Sequence, residues 1–304
     1  MKVTLLGPQR RPTVDAVAAS LPAGEPVATV TAGWQEREGD DAELSKLLGS
    51  RDVNLGLYRR WLDVAERDPA FAAGERTVQE VVGELQALYL LRLDHALQAV
   101  YEIGRRSGTD RLRASVLAES LAAVRDLDAA HLHRVSEARL EFYAEMRPHD
   151  RPVIAGHRAE VAQVLAGAAA LVVAGGHVGV LADVLHLFNV AAAVRSPVIA
   201  WSAGAMALAE RIVLFHDRSA HGPGHPEVYA SGLSLVRGMV PLPHARARLL
   251  LDDAPRMAVF ARRFAPARCV LLENGTRIGI DNGTWPPATR VLAADGHVTT
   301  LEAA

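Results

Sequence analysis

Alternation and periodicity divide the chain into an α/β frame and a helical block. Residues 2–6 read as an apolar strand ended by Gly7-Pro8, residues 13–21 as a short helix, and residues 26–32 as a second strand. A β-α-β opening of this kind predicts a parallel sheet. From Asp41 to about Arg147 the strand signals give way to helical periodicity. A first helix over 55–62 puts Tyr58, Trp61 and Leu62 on one face. A long one over 77–105 carries Val78, Val82, Leu85, Tyr89, Leu93, Leu97 and Val100 at three-to-four spacing. Ser107-Gly108-Thr109 breaks it, and a third helix runs over 110–147 and stops before Pro148. Two such helices around a short turn form an αα-hairpin of about 45 Å at 1.5 Å per residue.

Beyond Pro152 the α/β pattern resumes. A helix over 157–165 leads to a buried strand over 168–174, then Gly175-Gly176-His177 and a helix through Val180, Leu181, Val184, Leu185 and Phe188. The strand 197–201 runs into Ser202 and a helix start of small residues, and the strand 212–215 ends at His216-Asp217. A Gly/Pro/His loop covers 218–228, and the segment 239–244 ends at His244. A helix around 256–264 and strand-like segments at 269–273, 276–281, 289–292 and 298–301 close the chain. This order predicts one α/β domain from residues 1–40 and 150–304, interrupted by an all-α insertion over 41–149.

Composition narrows the classes. At 304 residues with 50% hydrophobic residues the chain can bury a large core, and a formal net charge of −2 gives no electrostatic case for nucleic acid. No apolar run approaches the length of a membrane span. Lys2 and Lys46 are the only lysines, so the arginines reflect a GC-rich bacterial coding bias more than a function. The lone Cys269 excludes an intrachain disulfide. With a strand-like start in place of a signal peptide, it leads to the expectation of a cytoplasmic protein.

The chemistry centres on Pro197-Val198-Ile199-Ala200-Trp201-Ser202-Ala203-Gly204-Ala205. A serine at a sharp strand-to-helix turn among small neighbours has the pattern of a nucleophile elbow; the plain alternative is a helix N-cap. A serine nucleophile needs a base, a group orienting that base, and N–H donors where negative charge develops. Candidates stand at carboxyl ends of strands: Gly175-Gly176 before the elbow, Asp217 and His244 after it. The loop from Gly33-Trp34 to Asp41 also follows a strand end, where ligands bind in parallel sheets, although a solvated charged loop explains it as well. Other constellations are weaker. An α/β-hydrolase-type esterase would draw on Asp281 and His297, and His216, Asp217, His221 and His225 have metal-ligand chemistry. His95, His131 and His133 read as packing or solvated residues, and Cys269 as core.

The succession strand–Gly-Gly, strand–Ser-Ala-Gly-Ala, strand–Asp, Gly-Leu-x-Leu-x-x-Gly and Pro-His resembles the serine peptidase family of dipeptidase E and cyanophycinase, as does the late Gly279-Ile280-Asp281-Asn282-Gly283-Thr284. The resemblance covers roughly residues 1–35 and 150–304. It implies a class I glutamine amidotransferase-like fold, a flavodoxin-like three-layer parallel sheet, with the helical hairpin subdomain as an addition. It further implies Ser202 as nucleophile, His244 as base, Asp217 as a third member, and the N–H groups of Gly176 and Ala203 as oxyanion hole. His177, Trp201, Arg246 and Arg248 would surround a small peptide or amide substrate, with no cofactor and no metal. The chain departs from the family pattern at Ala200, His177, Ala245 and Asn282. The alternative is a catalytically degenerate binding or assembly protein acting through its helical insertion, which also offers a surface for a homodimer.

Overall fold

The computed structural model describes residues 1–9, 12–107, 109–218 and 224–302. In chain order these form β1 (Lys2–Leu6), α1 (Val14–Ala18), β2 (Val27–Val30), α2 (Ala42–Leu47), β3 (Asp52–Asn54) and α3 (Leu57–Arg67). The hairpin α4 (Pro69–Arg105) and α5 (Asp110–Met146) follows, then α6 (Pro152–Ala166), β4 (Ala170–Val173), α7 (Val178–Leu187) and α8 (Val190–Ala193). Next come β5 (Val198–Trp201), α9 (Ala203–Ala207), β6 (Arg211–Leu214), β7 (Glu227–Ser231), β8 (Met239–Pro243) and α10 (Ala245–Arg248). The chain ends with α11 (Ala254–Phe264), β9 (Arg268–Leu272), β10 (Arg277–Asp281), β11 (Arg290–Leu292) and β12 (Val298–Thr300).

The fold is mixed α/β with a parallel-rich sheet and a long helical region. Its main sheet has the order β10-β1-β5-β4-β2-β3; β10 is antiparallel to β1, and the other neighbours are parallel. Side chains alternate between two cores as the pleat requires. Val3, Leu5, Ala28, Val30, Leu171, Val173, Val198 and Ala200 face one core with Leu57, Ile154 and Leu185 of the surrounding helices. Leu6, Val27, Val172, Ile199 and Trp201 face the other, with Val14, Val17 and Leu44. Apolar cover on both sides is why β4 and β5 read as unbroken hydrophobic runs rather than alternating ones. A second sheet, β12-β11-β9-β8, and the β6–β7 pair stand beside the first.

Two strands depart from the sequence expectation. Strand β3 lies inside the region read as helical, paired in parallel with β2; it is short, polar and at the sheet edge, so no apolar pattern marked it. The main sheet and its core therefore claim residues 52–57, beyond the expected boundary at 40. Strand β7 lies where the Gly/Pro/His loop was expected to run to 228; Val228 and Ala230 face inward across from β6.

Helix α4 begins at Pro69, eight residues ahead of expectation, because the Asp68 carboxylate accepts from the Phe71 N–H and proline fills the first turn. Helices of 37 residues each make the hairpin about 55 Å long at 1.5 Å per residue. It lies along the body: Tyr89, Leu93, Leu97, Val100, Val124 and Leu127 share a core with Val240, Phe260, Phe264 and Cys269. A buried polar cluster pins it there. Arg263 of α11 donates to both oxygens of Asp128 of α5 at 2.6 and 2.7 Å, to Pro226 O, and to the Tyr89 hydroxyl. Tyr89 in turn donates to Asp128 and accepts from the Val228 N–H. His131 stacks on Tyr89 and meets the Gln86 amide, a packing role; His133 is exposed beside Glu137. Among the described residues no helix is long and apolar enough to cross a membrane.

Candidate active site

Strand β5 is buried at the centre of the sheet, and the chain must reverse at its end to start α9. Ser202 makes that reversal at φ 50°, ψ −124°, a conformation that L-residues rarely adopt. A serine held this way projects its hydroxyl off the carboxyl edge of the sheet, where ligands of parallel sheets bind. Ala203 is the first residue of α9, so its N–H has no intrahelical carbonyl to bond.

The end of β4 packs directly against this turn. A Cβ on Gly175 would stand 2.8 Å from the Ser202 Cβ. Gly176 has φ 129°, and a Cβ there would reach within 2.3 Å of Gly33 O. Both positions therefore require glycine, one for close approach and one for its backbone angle. Gly33 follows β2, and its carbonyl accepts from the His177 N–H at 2.8 Å. The ends of β2, β4 and β5 are thus interlocked through backbone.

A cleft of about 600 Å³ opens here, lined by Gly176, Trp201, Ser202, Ala203, His244 and Arg248, together with Gln9, Trp34 and Met206. His244 follows β8 at φ 56°, ψ 34°, and its N–H donates to Leu272 O on β9. Burial pulls the Arg248 guanidinium below its ordinary range. Trp34 comes from the loop after β2, which is ordered as a tight 3-10 turn rather than solvated coil. Gln9 had no signal in the sequence; its Oε1 accepts from the Thr13 and Val14 N–H groups at 2.9 and 3.0 Å, which caps α1 and holds the side chain at the cleft.

Three of the expected site residues lie elsewhere. The Nδ1 of His177 accepts from the Val180 N–H and caps α7, the task that asparagine or aspartate performs well at such a position. Arg246 lines a separate groove with Arg218 and Asp252. Asp217 is buried, and its carboxylate accepts from Arg256 at 2.6 Å and from the Leu250 N–H at 3.1 Å. Its own N–H donates to Arg248 O at 2.7 Å. Asp217 thereby clamps the segment that follows His244.

The other constellations do not assemble at the cleft. Asp281 lies on the edge strand β10, and His297 precedes β12. Among the described residues no group of three or more metal-binding side chains gathers. His216 is exposed, His225 faces Asp94 and stacks on Tyr101, and His221 lies outside the described residues. Cys269 is core, its thiol pushed up to about 12 by burial.

No protein-family model matches the chain, and no curated protein matches it. Among solved structures the chain is similar to a peptidase from an acI-B1 Actinobacterium, at 14% sequence identity and a TM-score of 0.47, over 99% of this chain and 94% of that one.

Proposed function

We propose that the chain is a serine-type hydrolase of small peptide or amide bonds, of the dipeptidase E and cyanophycinase type, with Ser202 as nucleophile and His244 as base. The observation that carries this is the strained Ser202 backbone, braced by Gly175 at the end of the buried strand β5 and sharing a cleft with His244. The order β3-β2-β4-β5-β1 also supports a flavodoxin-like three-layer sheet: it is the order 2-1-3-4-5 with the N-terminal strand in the last place. The cleft then lies at the switch point, where the connections from β2 and β4 part.

In this mechanism Ser202 Oγ attacks the scissile carbonyl as its proton passes to His244. The charge on the carbonyl oxygen is met by the N–H groups of Gly176 and Ala203; one such donor is worth about 10²–10³ in rate. His244 returns the proton to the leaving amine, and water repeats the cycle on the acyl-enzyme. Asp217 acts as a positioning residue, through Arg248 O and the Leu250 N–H, on the turn that carries His244. Among the described residues that line the cleft, Arg248 offers a guanidinium to a substrate carboxylate, whereas Arg246 lines a separate groove.

A fluorophosphonate probe tests the reading. Wild type is labelled, Ser202→Ala is silent, and His244→Ala reacts about 10²–10⁴-fold more slowly. A folded wild type that neither reacts with the probe nor cleaves any member of a peptide and acidic-dipeptide library overturns it. That outcome favours the second reading, a degenerate binding protein, which rests on exposed apolar residues of the hairpin such as Leu91 and Leu112.

A further inference from the structure

A second cavity, of about 500 Å³, lies between α5, α6, α7 and β7, away from Ser202. Helix α7 serves both places: Val178 lines the cleft, while Ala182, Asp183 and His186 line the cavity. Its walls are largely apolar, from Leu140, the Tyr143 ring, Ala182 and Ala230. This size and lining suit a small molecule held by a few polar groups.

The two arginines of the lining are held differently. Arg139 is paired with Asp183 at 2.5 Å, yet its Nε is buried and has no hydrogen-bond partner. Arg158 donates through Nε to Leu187 O at 2.7 Å, and among the described residues no carboxylate pairs with it. Burial weakens its hold on the proton, the mark of a cation short of a counter-charge. Burial pulls the His186 imidazole below its ordinary range, and its ring meets Ser231 O. With Asp183 matched to Arg139, Arg158 is the lining guanidinium that no carboxylate among the described residues pairs with.

We infer that this cavity binds a small organic carboxylate, its anionic end on the Arg158 guanidinium and its apolar body between α5 and α7. A guanidinium fork matches the planar geometry of a carboxylate. Inorganic phosphate fits poorly, because the walls beyond the two arginines offer mostly carbon. The site does not depend on the reading of Ser202.

Titration calorimetry on the full chain tests it, with sodium hexanoate and sodium phenylacetate as probes and their neutral amides and inorganic phosphate as controls. The expected result is saturable one-to-one binding of at least one carboxylate, with its amide and phosphate at least about tenfold weaker. Arg158→Gln and Leu140→Trp are each expected to weaken carboxylate binding at least about tenfold. Leu140 is 67% exposed at the cavity mouth, so tryptophan there obstructs entry without disturbing the core, and it decides the matter where Arg158→Gln does not fold. Absence of saturable carboxylate binding, equal binding of amide or phosphate, or binding unchanged in Leu140→Trp overturns the assignment.

Discussion

Gly175→Ala adds one methyl group and removes no chemical function, so it isolates the packing of the loop against the serine. The new Cβ would sit 2.8 Å from the Ser202 Cβ and 3.5 Å from both the Ser202 Oγ and the Trp201 Cδ1. Carbon atoms rest about 3.5–4.0 Å apart, so loop and elbow must separate by about 1 Å. No side-chain rotation relieves the clash, because a Cβ is fixed by its backbone and β5 behind it is buried on both faces. Over-packing of this kind costs about 1–3 kcal/mol of stability. In the chemistry, a displacement of about 1 Å at a nucleophile costs on the order of 10²-fold in rate. The assay is the second-order rate of fluorophosphonate labelling, measured beside urea unfolding. Gly83→Ala is the control: a Cβ there meets nothing within 4 Å, on an exposed stretch of α4. It should gain about 0.5–1 kcal/mol and label at the wild-type rate. Gly175→Ala labelling as fast as wild type would refute the reasoning, whether or not stability falls.

Asp217→Asn breaks a buried ion pair with Arg256 and should cost about 3 kcal/mol in urea unfolding, with labelling slowed far less than the roughly 10⁴-fold loss seen when a triad acid is replaced. A loss of that size in a stable protein would return Asp217 to a triad. Tyr89→Phe leaves the Val228 N–H and Asp128 each short of a partner and should cost about 1–3 kcal/mol; a change below about 0.5 kcal/mol in urea unfolding would contradict the buried cluster. Burial holds His131, His186 and His225 below their ordinary value of 6.5, so the unfolded chain takes up protons first as pH falls. Stability is therefore present above about pH 6.5 and declines below it; urea midpoints at about pH 7.5 and 5.5 should show the fall, and His186→Met should reduce it.

The parallel frame was legible because its strands are buried on both faces: runs such as Leu171-Val172-Val173 and Val198-Ile199-Ala200 leave little ambiguity. Strand β3 was not, since Asp52, Val53 and Asn54 pair only at the edge and none of the three is fully buried. Ser202, Gly175 and Gly176 could be singled out because a close strand-to-helix turn demands small residues. The partners of polar groups could not be. Whether Asp217 faces an imidazole or a guanidinium depends on Arg256, 39 residues later, and no local pattern encodes that pairing. His177 looked like a departure in a binding loop, whereas its ring nitrogen caps α7.

The hairpin also takes on a different meaning through α11. Arg256 and Arg263 are seven residues apart, two turns of one helix, and so share a face. Arg256 holds Asp217, which clamps the segment after His244, and its guanidinium lies over the Tyr101 ring of α4. Arg263 holds Asp128 of α5 and Tyr89 of α4. One helix face thus fastens the hairpin and the His244 side of the cleft. With the hairpin in place Arg263 is a buried cation held by Asp128, so removing that carboxylate costs far more than losing a surface contact. The helical region is therefore part of the support of the cleft, and its loss should be felt first at His244 and Arg248, where Asp217 is the intermediary, and least at Ser202, which is fixed by the sheet.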